Sequence, residues 1–267
     1  MGPSIELDDV TKRFRTPRGT FYVAVHSLTC AIARGEFCAI VGPTGSGKST
    51  TLNLIAGLQA PSRGHVSVLG KPVTTRSDNV GYMFQTDAIF PWKNVLQNVA
   101  TGPLYRGASR GEAARRAREW IGRVGLAGFE DRYPNQLSGG MRKRVALAQT
   151  LINGPAVLLM DEPFAALDVQ TRTLMENELL ELWSGTSASV VFVTHDLEEA
   201  IALADRVLVF TAAPATLKRS YPIDLPRPRN VTEVRFDPHF TQLYQRIWED
   251  LRDEAVIAYE RSKEITF

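Results

Sequence analysis

Residues 42–50 read Gly42-Pro43-Thr44-Gly45-Ser46-Gly47-Lys48-Ser49-Thr50 and fit the pattern G-x-x-x-x-G-K-[ST]. The apolar run at 36–41 before them reads as a buried strand, and residues 49–56 after them read as a helix that Gly57 ends. A strand, a glycine-rich loop and a helix together make a phosphate cradle. Phosphate oxygens need several N–H donors converging on one point. The backbone must therefore curl tightly and come close, which larger side chains would obstruct. The opening helix adds unpaired N–H groups and its positive dipole end. Lys48 is placed to reach the β- and γ-phosphates of a nucleotide, and the Ser49 hydroxyl to ligate Mg²⁺.

Composition sets the outer limits. The chain has 267 residues, 44% of them hydrophobic, enough for a sizeable buried core. Lys and Arg total 31 against 29 Asp and Glu, and a net charge of +2 gives no basis for a general nucleic-acid binder. No apolar run approaches the ~20 residues that span a bilayer, and the N-terminus has no basic segment leading into an apolar one. A soluble, cytoplasmic chain is expected. Cys30 and Cys38 both lie in apolar strand-like runs and read as plain buried thiols in a reducing compartment.

Working outward from the cradle, residues 5–10 and 21–33 read as strands joined across the turn-rich Thr16-Pro17-Arg18-Gly19-Thr20, a hairpin tip. Two more short strands are expected at 65–69 and 79–84. From about 86 to 152 the pattern is helical: Ser109 and Glu112 form a capping box, and Ala113, Ala117, Trp120, Ile121 and Val124 make an apolar face. Arg115, Arg116, Arg118 and Arg123 among them read as a solvated face. Strands resume at 156–160 and 189–194, each after a helix, so the helical stretch is an insertion and the sheet is expected to be parallel. A final segment, 221–267, begins with Pro222, Pro226 and Pro228. Asp237 and Pro238 then open a helix with Phe240, Leu243, Tyr244, Ile247, Trp248 and Leu251 in one stripe. The stripe is expected to dock on the chain's own core, with a partner surface as the alternative.

A nucleotide with Mg²⁺ calls for a second carboxylate site, which Asp161 and Glu162 supply at the end of the apolar strand 157–160. Asp161 would hold Mg²⁺ through water, and Glu162 would orient or deprotonate the attacking water. Ser138 with the N–H groups of Gly139 and Gly140 forms another anion-binding helix start. One nucleotide does not need both starts in the same chain. Two chains about a two-fold axis could each offer this second start to the partner's γ-phosphate. His195 follows the 189–194 strand, and Asp196 with Glu199 caps the next helix.

Residues 42–49, Gln85, Leu137-Ser138-Gly139-Gly140-Met141, Asp161 with Glu162, Ala166-Leu167-Asp168 and His195 occur in the order and rough spacing of an ATP-binding cassette (ABC) ATPase, which the chain resembles over nearly its whole length. The resemblance implies an α/β fold: a P-loop NTPase (RecA-like) core with a parallel sheet, an N-terminal antiparallel β subdomain and an inserted α-helical subdomain. Residues 1–220 would be the ATPase domain and 221–267 a C-terminal extension. It further implies a head-to-tail homodimer that sandwiches two ATP and separates after hydrolysis. Gln85 would sense Mg²⁺ and the attacking water, His195 would contact the γ-phosphate, and Asp168 would cross the dimer interface. An aromatic would stack on adenine: Phe14 is the first choice, with Phe21 and Tyr22 as alternatives. Met141 stands where this family usually has Gln, and Gln149 where it often has Arg. Neither removes a phosphate donor.

Within that family, Phe90-Pro91-Trp92, residues 133–141 and Leu225-Pro226-Arg227-Pro228-Arg229 look like the cassettes of nitrate, sulfonate and taurine importers. That likeness implies a permease dimer in the membrane, an external solute-binding protein, either periplasmic or lipid-anchored, and a peripheral position on the cytoplasmic face of the inner membrane. A cassette ATPase acting on nucleic acid or ribosomes is the alternative, but such proteins usually carry two cassettes or a long coiled coil, and no heptad run is present here.

Overall fold

In the computed structural model, which describes residues 2–17, 19–86 and 88–265, β1 (Ile5–Arg15) and β2 (Phe21–Ile32) form the expected antiparallel hairpin. Its tip is closed by the Thr16 N–H on Thr20 O at 2.9 Å, with Gly19 at φ 81°; Arg18 of that tip lies outside the described residues. β3 (Phe37–Val41) enters a second sheet and α1 (Lys48–Ile55) follows the glycine loop. β4 (Arg63–Val68) and β5 (Lys71–Pro72) then return to the hairpin and complete an antiparallel sheet in the order β2-β1-β4-β5.

β6 (Val80–Met83) returns the chain to the second sheet. It is followed by α2 (Val95–Tyr105), α3 (Arg110–Arg123) and α4 (Gly139–Leu151), which lie between β6 and its parallel neighbour β7 (Val157–Asp161). Then come α5 (Val169–Ser184), β8 (Ser189–Val193), α6 (Leu197–Leu203), β9 (Arg206–Phe210), β10 (Leu217–Pro222), α7 (Val231–Val234) and α8 (Pro238–Ile265). The second sheet is ordered β10-β9-β3-β8-β7-β6. Five of these strands run parallel as expected. β10 departs from that expectation by pairing antiparallel with β9, because a tight turn joins them where a crossover helix would be needed to keep the direction.

Every residue of β3, β7 and β8 is buried, as strands covered on both faces require. Residue parity decides which core each side chain joins. Ala39, Leu158, Met160, Val190 and Phe192 face α4, α5 and α6, whereas Cys38, Ile40, Leu159, Val191 and Val193 face α1 and the antiparallel sheet. Burial pushes the Cys38 thiol well up and the Cys30 thiol up to about 11, so both are inert thiols at neutral pH.

The helical insertion differs from its sequence reading in two details. Ser109 accepts from the Glu112 N–H at 3.2 Å, but no reciprocal bond accompanies it, and Glu112 reaches towards Arg116 instead. The reciprocal capping box sits at Asn94 and Gln97, with bonds of 2.8 and 3.1 Å. Of the four arginines read as solvated, Arg116 ties α3 to the end of α4 by donating to Ile152 O at 2.7 Å.

The C-terminal stripe docks on the chain's own core through Phe240, Leu243, Ile247 and Leu251, while Trp248 stays 45% exposed. Asp237 caps α8 by accepting from the His239 N–H at 2.8 Å. Arg229 is buried and donates to Ala204 O at 2.6 Å and Leu225 O at 2.8 Å, fastening the proline-rich segment to the end of α6. Ile247→Ala should therefore cost about 2–5 kcal/mol in chemical denaturation. Arg252→Ala on the exposed face of α8 should cost about 0.5 kcal/mol or less. Equal costs would mean that the stripe is not core.

Candidate functional site

The glycine loop crosses the edge of the sheet at the carboxyl end of β3, and each close approach there is filled. A Cβ on Gly47, at φ 90°, would sit 2.6 Å from Ala24 O, and one on Gly42 would sit 2.9 Å from Ser46 Oγ. The Gly47 distance excludes any larger residue without backbone movement, and at Gly42 the Ser46 hydroxyl would have to turn aside. Lys48 is buried, and its Nζ donates to Gly42 O at 2.8 Å and Pro43 O at 2.9 Å, so the ammonium lies within the curl of the loop. Burial lowers its pKa against the opposing pull of Glu162 and Asp161. The Ser46 hydroxyl is buried without a protein partner beside this curl.

β3, β8 and β7 are successive parallel neighbours, so their carboxyl ends meet at this one edge. Ser49 Oγ donates to Asp161 Oδ1 at 2.9 Å across it. Burial raises the Asp161 pKa despite that hydrogen bond, and a nearby cation would oppose the shift. A hydroxyl and a carboxylate converging in this way are hard oxygen donors and fit a Mg²⁺ ion whose other ligands are phosphate and water.

Glu162 stands at φ 44°, a left-handed conformation that costs a side-chain-bearing residue about 1–2 kcal/mol. Its N–H on Val193 O at 2.9 Å holds it there, and Pro163 follows at once. The turn aims the carboxylate into the cleft, where Oε2 accepts from Gln85 Nε2 at 3.2 Å and lies 3.2 Å from His195 Nδ1.

These side chains line a cleft of ≈ 560 Å³ together with Phe14 and Tyr22, which are directly paired across the β1–β2 hairpin. Both aromatics therefore face the cleft, while Phe21 is 67% exposed and not part of its lining. Gln85 and His195 meet at Glu162. Gly42, Pro43 and Asp161 stand just behind this lining, bonded to Lys48 and Ser49, whereas Ser138, Gly139, Gly140 and Asp168 are absent from it and, among the described residues, bond to none of its members. Ser138 caps α4, accepting from the Met141 N–H at 3.3 Å, and Asp168 caps α5, accepting from the Thr171 N–H at 3.0 Å. These two helix starts abut each other: a Cβ on Gly140 would lie 2.8 Å from Thr171 Cγ2.

One supporting residue escapes a sequence reading, and one is misassigned by it. Lys143 is buried in α4 and donates to Gln85 O at 2.8 Å, linking the Gly139-Gly140 helix to the glutamine at the cleft. The available signal is that it repeats at four-residue steps with the buried Leu147 and Leu151. Glu199 does not close a capping box on Asp196. Its carboxyl turns inward to the Thr194 hydroxyl, burial raises its pKa, and Thr194 Oγ1 accepts the Asp196 N–H at 3.0 Å. His195 thus sits on a turn fixed from beneath.

Comparison with known proteins agrees with this geometry. Residues 25–165 match the family model described as ABC transporter. The chain is 42% identical to an uncharacterized ABC transporter ATP-binding protein, MJ0412, of Methanocaldococcus jannaschii, over 96% of this chain and 94% of that protein. It is also 42% identical to the nitrate import ATP-binding protein NrtD of Synechocystis sp., over 93% of this chain and 95% of that one. The aliphatic sulfonates import ATP-binding protein SsuB of Bacillus anthracis is 35% identical over 91% of this chain and 95% of its own. Among solved structures, the dimeric post-hydrolysis state of the ATP-binding cassette MJ0796 bound to ADP and Pi superposes with a TM-score of 0.74 at 32% identity, covering 83% of this chain and all of that one. The chain therefore belongs to the ABC transporter family, as its ATP-binding, ATP-hydrolysing subunit.

Proposed function

We propose that this chain energises an importer for a small solute of the nitrate or sulfonate type, as a homodimer beneath a separate membrane permease. The observation that carries the dimer is the division of the motifs. The cleft gathers residues 44–50, Gln85, Glu162 and His195 and leaves out the helix start at Ser138 and the cap at Asp168. A second copy related by a two-fold axis supplies those groups to each ATP, which matches the dimeric state of the MJ0796 cassette.

In the composite site the N–H groups of the loop and Lys48 bind the β- and γ-phosphates, and Phe14 or Tyr22 stacks on the adenine. Ser49, Asp161 and Gln85 would hold Mg²⁺, which neutralises phosphate charge when bound. Glu162 takes a proton from the water that attacks the γ-phosphorus as the bond to the β–γ bridging oxygen breaks and ADP leaves, while Gln85 and His195 hold its carboxylate in line. Ser138 and the N–H groups of Gly139 and Gly140 of the opposing copy stabilise the charge that gathers on the γ-phosphate oxygens.

No helix among the described residues is long and apolar enough to cross a membrane, so transport by this reading needs a separate permease dimer. A groove of ≈ 350 Å³ lined by Phe84, Phe90, Tyr105 and Arg106 runs between β6 and the helical insertion. Trp92, 70% exposed, packs 5.5 Å from Phe90. This groove is suited to a short permease helix, which would fix the subunit to the cytoplasmic face. The solute-binding protein acts on the far side and never meets this chain.

Glu162→Gln should retain ATP binding and slow hydrolysis by ~10²–10⁴, the usual worth of a positioned base. Steady-state phosphate release beside equilibrium nucleotide binding checks this, and near-normal turnover would remove Glu162 from the role. Trp92→Ala should abolish solute uptake in reconstituted vesicles and spare basal hydrolysis. Equal loss of both activities would count against the groove as the permease contact.

A further inference from the structure

The tight turn between β9 and β10 lies directly behind the phosphate loop. Ala215 is buried in it, donates to Ala24 O at 2.9 Å and accepts from the His26 N–H at 2.9 Å. A Cβ on Gly47 would be 3.0 Å from Ala215 Cβ, and one on Gly42 would be 3.1 Å from Phe210 O. Both cradle glycines therefore rest on the segment 210–215. The far side of that segment is gripped by α8. The buried carboxylate of Glu254 accepts from the Ala212 N–H at 2.8 Å and pairs with Lys218 at 3.1 Å, and Arg261 donates to Ala213 O.

We propose that Glu254 is a positioning residue for ATP: through Ala212 and Ala215 the C-terminal helix braces the phosphate loop in its nucleotide-binding curl. The inference rests on the ATPase reading of the cleft and assigns the C-terminal extension a part in it. Loss of the Glu254 carboxylate leaves the buried Ala212 N–H unpaired and frees the turn to shift. The cradle then has no fixed floor at Gly47. Because Glu254 touches neither the nucleotide nor the attacking water, its removal changes how well ATP is held and leaves the chemical step intact.

The test measures binding of a fluorescent ATP analogue and steady-state hydrolysis on the full chain. Glu254→Ala should raise the Kd and the KM for ATP about tenfold, each factor of ten being 1.4 kcal/mol, with kcat within about twofold. Glu254→Gln keeps an oxygen for the Ala212 N–H and should stay within about twofold of the parent. Arg261→Ala, on the exposed side of α8, should move the Kd in the same direction by about two- to threefold, and carries the test if Glu254→Ala does not fold. A folded Glu254→Ala chain with parental affinity would overturn the brace, as would a kcat loss with unchanged KM or an unmoved Arg261→Ala. If the parent chain itself fails to bind the analogue, the ATPase reading falls first.

Discussion

Parallel pairing of β3, β8 and β7 is the constraint on which the site depends. Because these strands run the same way in adjacent positions, the glycine loop, the turn at His195 and the Asp161-Glu162 pair all leave the sheet at one edge. The Ser49–Asp161 hydrogen bond at 2.9 Å crosses that edge and joins residues far apart in sequence. A register slip in either strand would separate them and also turn the buried faces inside out. The two apolar cores that clothe the sheet are thus what keeps the chemistry in place.

The remaining elements adjust that edge from three sides. The β1–β2 hairpin brings Phe14 and Tyr22 over the loop. The insertion hangs α4 beside the cleft and ties it to Gln85 by the buried Lys143 ammonium. The segment 210–216, held by α8, backs Gly42 through Phe210 and Gly47 through Ala215. At the cleft, strain falls on the left-handed backbone of Glu162 and is balanced by the bond to β8 and by contacts with Gln85 and His195.

Much of this was legible in the sequence because the chemistry imposes it locally. A phosphate cradle needs glycines at fixed offsets, and a buried parallel strand needs an unbroken apolar run, so residues 42–50 and 157–162 declare themselves. The antiparallel β10 did not, since Leu217–Pro222 is a mostly polar edge strand with no apolar run or alternation to mark it. The helix caps were half legible: Ser109 and Asp196 cap as read, yet Glu112 and Glu199 find better partners in Arg116 and Thr194. Lys143 and Glu254 were out of reach for a related reason. A charged residue on a helix reads as solvated; the four-residue repeat of Lys143 with Leu147 and Leu151 is a weak sign of burial, and the packed neighbours show that the charge is turned inward. The choice among Phe14, Phe21 and Tyr22 narrows to two once the hairpin register pairs Phe14 with Tyr22.

In the proposed mechanism one chain holds only half of each catalytic site, and ATP joins two copies. Sedimentation of the Glu162→Gln chain with and without ATP and Mg²⁺ tests it most directly. The account predicts a single chain without nucleotide and a doubling of mass with it, reversed by Ser138→Arg, which blocks the opposing helix start. A chain that binds ATP fully and keeps its single-chain mass would contradict it.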